Sequence, residues 1–68
     1  MNQQYLIEAY QYLNTLDGKI LNLIPNNVWQ YFKKNIDISK IKIIKKEIAL
    51  SDEARELVTY IIEMYVYF

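Results

Sequence analysis

Ser51-Asp52-Glu53-Ala54-Arg55-Glu56-Leu57-Val58-Thr59-Tyr60-Ile61-Ile62-Glu63-Met64-Tyr65-Val66-Tyr67-Phe68 is the stretch whose reading decides the fold. Its second half favours a strand on composition alone, since Val58-Thr59-Tyr60-Ile61-Ile62 and Tyr65-Val66-Tyr67-Phe68 are rich in β-branched and aromatic residues. Its first half and its spacing favour a helix. Ser51 can accept hydrogen bonds from free N–H groups, and Asp52 and Glu53 follow where the positive end of a helix dipole favours acids. Ala54, Leu57, Ile61, Met64 and Phe68 step by three or four and form one seam, with Val58, Ile62 and Tyr65 beside it. At about 100° per residue the two seams cover roughly 160° of arc. Asp52, Arg55, Glu56, Thr59 and Glu63 take the far side. The helix therefore starts amphipathic and ends almost surrounded by apolar groups, with Tyr60, Val66 and Tyr67 in excess of an ordinary core stripe.

Working back from this helix, residues 2–16 repeat the pattern. Leu6, Ala9, Tyr10, Leu13 and Leu16 form one face; Gln4, Glu8, Gln11 and Thr15 form the other, with Asn2 as the expected N-cap. Asp17-Gly18 interrupts it, and a left-handed turn is expected at the glycine. Lys19–Ile24 has room for one or two helical turns before Pro25, which suits the first position of a new helix. From Pro25 to about Lys34, Val28, Trp29, Tyr31 and Phe32 predict a short aromatic-faced helix. Asn35 is its expected left-handed stop, and Lys33 and Lys34 complement the carbonyl end. Between the helices, Lys40-Ile41-Lys42-Ile43 alternates with period two. Residues 36–50 thus read either as an extended linker with a short strand or as an irregular loop pinned by isoleucines.

The whole reads as one mainly α domain over residues 1–68, a three-to-four-helix bundle with an extended Lys/Ile-rich linker. Its expected core is Leu6, Tyr10, Leu13, Ile20, Ile24, Val28, Phe32, Leu57, Ile61, Ile62, Met64 and Tyr65.

The run Ile24-Pro25-x-x-Val28-x-x-x-Phe32-x-x-Asn35-x-Asp37, followed by Leu50-Ser51-x-Glu53-Ala54 and a tyrosine-rich last helix, resembles a group of short uncharacterised proteins of low-GC Gram-positive bacteria. They share an I-P-led helix with an Asn/Asp stop, a linker and an L-S-x-E-led helix. The resemblance covers roughly residues 20–65. It implies a small helical fold, and it carries over no activity and no site residues.

Composition excludes much chemistry. The chain has no histidine and no cysteine. That removes the commonest general base, the thiolate nucleophile, the usual zinc ligands and any disulfide. No glycine-rich phosphate loop is present, and the two serines, Ser39 and Ser51, read as a loop residue and a helix cap. Asp52, Glu53 and Glu56 could in principle attract a hard cation, but their place in one helix's first turns explains them as solvated, dipole-matching acids. No enzyme, metal or cofactor is expected. The start, Met1-Asn2-Gln3-Gln4, lacks the basic and apolar segments of a signal peptide, and the C-terminal apolar run is too short to span a bilayer. A cytoplasmic, membrane-free protein is expected.

Net charge is zero but polarised along the chain. Lys33, Lys34, Lys40, Lys42, Lys45 and Lys46 face only Asp37 within residues 33–46, whereas Glu47, Asp52, Glu53, Glu56 and Glu63 face only Arg55 thereafter. Two candidate binding regions follow. The first is a self-association surface on the last helix, comprising Tyr60, Val66, Tyr67 and Phe68, with Tyr5 and Tyr12 rimming the first helix. It implies a non-enzymatic interaction protein acting as a homodimer. The second is the lysine segment, with Trp29, Tyr31 and Phe32 upstream as rings for stacking. It implies a small bacterial, phage-borne or mobile-element regulator or inhibitor docking on a larger protein or on nucleic acid. The neutral total and the single arginine disfavour nucleic acid.

Overall fold

A computed structural model of the chain describes residues 3–41 and 49–67. The expected Asn2 cap, the alternation through Ile43, Lys42, Lys45, Lys46 and Phe68 lie outside the described residues. Within them the protein is mainly helical: α1 is Gln4–Leu13, α2 Gly18–Leu21, α3 Asn26–Asn35 and α4 Asp52–Tyr65, with a 3-10 turn at Ile38–Lys40. α4 packs chiefly on α1, and α1 also packs on α3.

α1 stops at Leu13, short of the Leu16 end that apolar spacing suggests. Two side chains turn back to claim the last carbonyls. Asn14 Nδ2 donates to the Tyr10 carbonyl at 2.8 Å, and Thr15 Oγ1 to the Tyr12 carbonyl at 2.6 Å. Such local bonds offer the backbone an alternative to continuing the helix. Gly18 does not form the expected left-handed turn, since no described residue has positive φ. Instead Asp17 caps α2, its Oδ1 accepting the Lys19 N–H at 2.8 Å, and Gly18 becomes the first helical residue. Pro25 sits one position earlier than expected, extended at the N-cap of α3 with ψ 156°. Asn35 is likewise no left-handed stop. It stays helical, and its Nδ2 donates to the Tyr31 carbonyl at 2.7 Å. The chain leaves α3 through Ile36, which is extended and buried.

The core draws on Leu6, Ala9 and Leu13 of α1, Ile24, Val28 and Phe32 of α3 and its approach, Ile36, and Ala54, Val58 and Ile61 of α4. Ile38, Ile41 and Leu50 pack against it from the two ends of the linker. The isoleucines therefore pin the described part of the linker. Tyr10 of α1 joins α1 to α3 through rings: its centroid lies 5.6 Å from Phe32 and 6.0 Å, edge-on, from Trp29. Offset and edge-to-face pairs of this kind add about 0.5–1.5 kcal/mol to simple burial.

Of the expected core, Tyr10, Leu57, Ile62 and Tyr65 are half-buried and pack against the buried cluster, Ile20 is half-buried in α2, and Met64 is 45% exposed. Met64 fails because α4 is rolled so that Ala54, Val58 and Ile61, at i, i+4 and i+7, point inward. This displaces the Leu57–Met64 line to the rim. Small Ala54, fully buried, opens the inward face in the first turn.

The start of α4 is held from two sides. Ser51 Oγ accepts the Ala54 N–H at 3.3 Å, the expected cap. The Ser51 N–H donates in turn to Glu8 Oε1 of α1 at 2.7 Å, across 43 residues. In a capping box a Glu three residues after the Ser would accept that N–H locally. Here that position is Ala54, whose methyl is needed in the core, and Glu8 takes over the acceptor role.

Candidate functional site: the outer face of the last helix

α4 carries two apolar lines. The inner one, Ala54, Val58 and Ile61, is buried. The outer one, Leu57, Tyr60, Met64 and Tyr67, steps by three, four and three residues, the spacing of a coiled-coil seam. Leu57 is half-buried, while Tyr60 is 58%, Met64 45% and Tyr67 79% exposed. Beyond Tyr65 the backbone widens but does not leave: Val66 remains near helical geometry, and the Tyr67 N–H donates to the Ile62 carbonyl at 3.0 Å. Tyr67 is therefore presented by a tethered final turn.

Beside the outer line, α3 and α4 frame a groove of about 340 Å³. Val28 and Ile61 form its floor side, Leu57 and Tyr65 line it, and Tyr31 and Tyr60 stand on opposite helices at its edges. Asn27 is its sole polar non-phenolic lining residue, and no charged residue lines it. Tyr31 is 48% exposed because α3 turns Val28 and Phe32 inward, leaving Tyr31 on the flank against the Phe32 ring at 6.0 Å. The groove can accept an apolar side chain with at most one hydrogen-bonding group. It offers nothing to stabilise an ion.

The other candidate self-association residues divide. Tyr5, Tyr12 and Val66 are half-buried and packed against the core. They have occupation enough within one chain. Met64 and Tyr31 join Tyr60 and Tyr67 on the exposed face, though sequence spacing assigned Met64 to the core and Tyr31 to a stacking role. The signal for Met64 was the seven-residue interval shared by Leu57–Met64 and Tyr60–Tyr67.

The lysine segment is less convergent. Lys33, Lys34 and Lys40 are exposed. Lys33 and Lys34, but not Lys40, border a shallow depression of about 520 Å³ with Gln3, Asn35, Asp37 and Ser39 nearby. Lys40 Nζ lies 3.7 Å from Asp37, an exposed pair of little energetic weight. The rings proposed to accompany these lysines are withdrawn: Phe32 is fully buried, and Trp29 is half-buried against Tyr10 and Phe32. Only Tyr31 of the three remains open to solvent.

Asp52, Glu53, Glu56 and Glu63 are exposed along the flank of α4. Among the described residues no group of three or more acidic, histidine or cysteine side chains is placed to hold a metal ion. None of the described helices is long and apolar enough to cross a membrane. No family model matches the sequence, and no curated protein or solved structure matches it either.

Proposed function

We propose that this chain is a non-enzymatic interaction protein that associates with a second copy of itself through the outer face of α4. The observation that carries this reading is the line Tyr60, Met64 and Tyr67, exposed on the helix whose inner face already supplies the core. An apolar patch of this extent is about as large as the largest on ordinary monomers, and such patches are often functional. With about 200 Å² for a whole tyrosine or methionine side chain, the exposed parts of Tyr31, Tyr60, Met64 and Tyr67 offer roughly 450 Å² per copy. A pair would bury on the order of 900 Å², at the small, transient end of specific interfaces. Association is therefore reversible, with a dissociation constant in the micromolar range or weaker. Zero net charge removes the long-range repulsion that keeps many small domains apart.

Docking of a larger protein or a polyanion on Lys33–Lys46 has less support, because two of the three aromatic partners of that segment, Trp29 and Phe32, pack in the interior. Sedimentation equilibrium from ten to several hundred micromolar tests the favoured reading. The wild-type chain should show a concentration-dependent dimer, and Tyr67→Glu should remain monomeric with an unchanged thermal midpoint at low concentration. A wild-type chain that stays monomeric throughout that range would remove the proposal.

A further inference from the structure

We infer that the two copies pair through antiparallel α4 helices, with Tyr67 of each copy seated in the Tyr31–Tyr60 groove of the other. This rests on the self-association reading above and specifies its geometry.

The first argument is the symmetry of the outer line. About the midpoint between Tyr60 and Met64, a twofold axis sets Leu57 of one copy against Tyr67 of the other, and Tyr60 against Met64. All four members of the line then meet an apolar partner. Twofold pairing of one patch with itself is the commonest closed assembly.

The second argument is the helix dipole. Two parallel α4 helices would set like ends of their dipoles side by side, whereas the antiparallel pair sets opposite ends together.

The third argument is the groove. Leu57 lines it, so whatever lies opposite Leu57 lies at its mouth. In the antiparallel register that residue is Tyr67, the most exposed large apolar side chain of the described residues. The groove, uncharged and about 340 Å³, has room for a ring with one hydroxyl. Asn27 and the Tyr31 hydroxyl can satisfy that hydroxyl at the groove wall. A tyrosine with an apolar body and a polar tip is the usual anchor of such sites. Because the Tyr67 N–H is held by the Ile62 carbonyl, the ring is presented with little backbone freedom left to lose.

The chain has no cysteine, so single thiols report the register directly. Leu57→Cys and Tyr67→Cys, each as an otherwise wild-type chain and one carrying a mass tag, are mixed and oxidised. In the antiparallel pair, positions 57 and 67 of opposite copies are adjacent, while like positions stand about 15 Å apart along the helix. A disulfide needs Cβ atoms within about 4.5 Å. Mixed disulfides should therefore dominate over same-variant ones. A statistical mixture, or a majority of same-variant disulfides, overturns the register. If the wild-type chain sediments as a dimer in that case, self-association stands and only this geometry falls. If it sediments as a monomer, both fall. Tyr31→Ser sharpens the groove half of the inference. It should weaken the wild-type dimer by about tenfold, the equivalent of roughly 1.4 kcal/mol. Leu23→Ser, at a comparably exposed site in the turn before α3, should leave the dimer unaffected. Equal effects from the two variants overturn the groove's part.

Discussion

The inner and outer faces of α4 are both apolar and share a three- and four-residue spacing, yet only one is covered. Ala54, Val58 and Ile61 are at most 5% exposed, while Tyr60, Met64 and Tyr67 are at least 45% exposed. The difference lies in size and in what α1 can reach. Small and β-branched residues let α1 and α4 approach closely, whereas the long side chains of the outer line fall beyond the edge of α1 and α3. A chain of 68 residues has no further element among its described parts to lay over that edge. The comparison shows that hydrophobic character alone does not mark the core of a small bundle. Position relative to the nearest neighbouring helix does.

Substitutions on the two faces should separate these roles. The largest effect is expected at Ile61→Ala, which empties a site 4% exposed at the last buried position of the inner face. Loss of about 2–5 kcal/mol is the usual cost of such a truncation, a large fraction of the stability of so small a domain. Urea unfolding monitored by circular dichroism should show a clearly lowered midpoint. An intermediate effect is expected at Glu8→Ala, which leaves the Ser51 N–H to water. A cost of about 1 kcal/mol, read in the same experiment, would place the bond among ordinary net contributions. The smallest effect on the monomer is expected at Tyr60→Ser, on the outer face. Its unfolding midpoint at low concentration should move by no more than about 0.5 kcal/mol, while dimerisation measured by sedimentation weakens. If Tyr60→Ser destabilises the monomer as much as Ile61→Ala does, the distinction between the faces collapses.

The helical architecture was largely legible. Apolar residues at three and four residue intervals located α1, α3 and α4, and Ser51 with Asp52 and Glu53 marked the start of α4 within one residue. What was less legible was punctuation. Asp17-Gly18 is compatible with both a left-handed turn and a capped helix start, and the choice depends on whether the Asp17 carboxylate reaches the Lys19 N–H. Asn35 posed the same ambiguity between a stop and a residue that bonds back to Tyr31. These alternatives differ by a single local hydrogen bond, which periodicity does not register. The candidate site was legible in part. Tyr60 and Tyr67 stood out as surplus, but Met64 was hidden because a seam of four- and three-residue steps passes through it on either side. Its exposure follows from the rotation of α4 about its axis, which α1 sets. Tyr31 was hidden for a related reason: α3 has three neighbouring rings, Trp29, Tyr31 and Phe32, and sequence spacing does not say which one is left outside.

The hydrogen bond from Ser51 to Glu8 has a consequence for how the molecule assembles in time. It joins the first helix to the start of the last across 43 residues, so its formation requires the intervening chain to close. Closing such a loop is entropically costly and rewards the chain only once both ends are ordered. The first turn of α4 therefore acquires its complete set of acceptors only after α1 has docked. Helix growth and tertiary docking become one event at this point. A nascent α4, lacking that acceptor and rich in strand-forming residues, is the segment most in need of α1 while the protein folds.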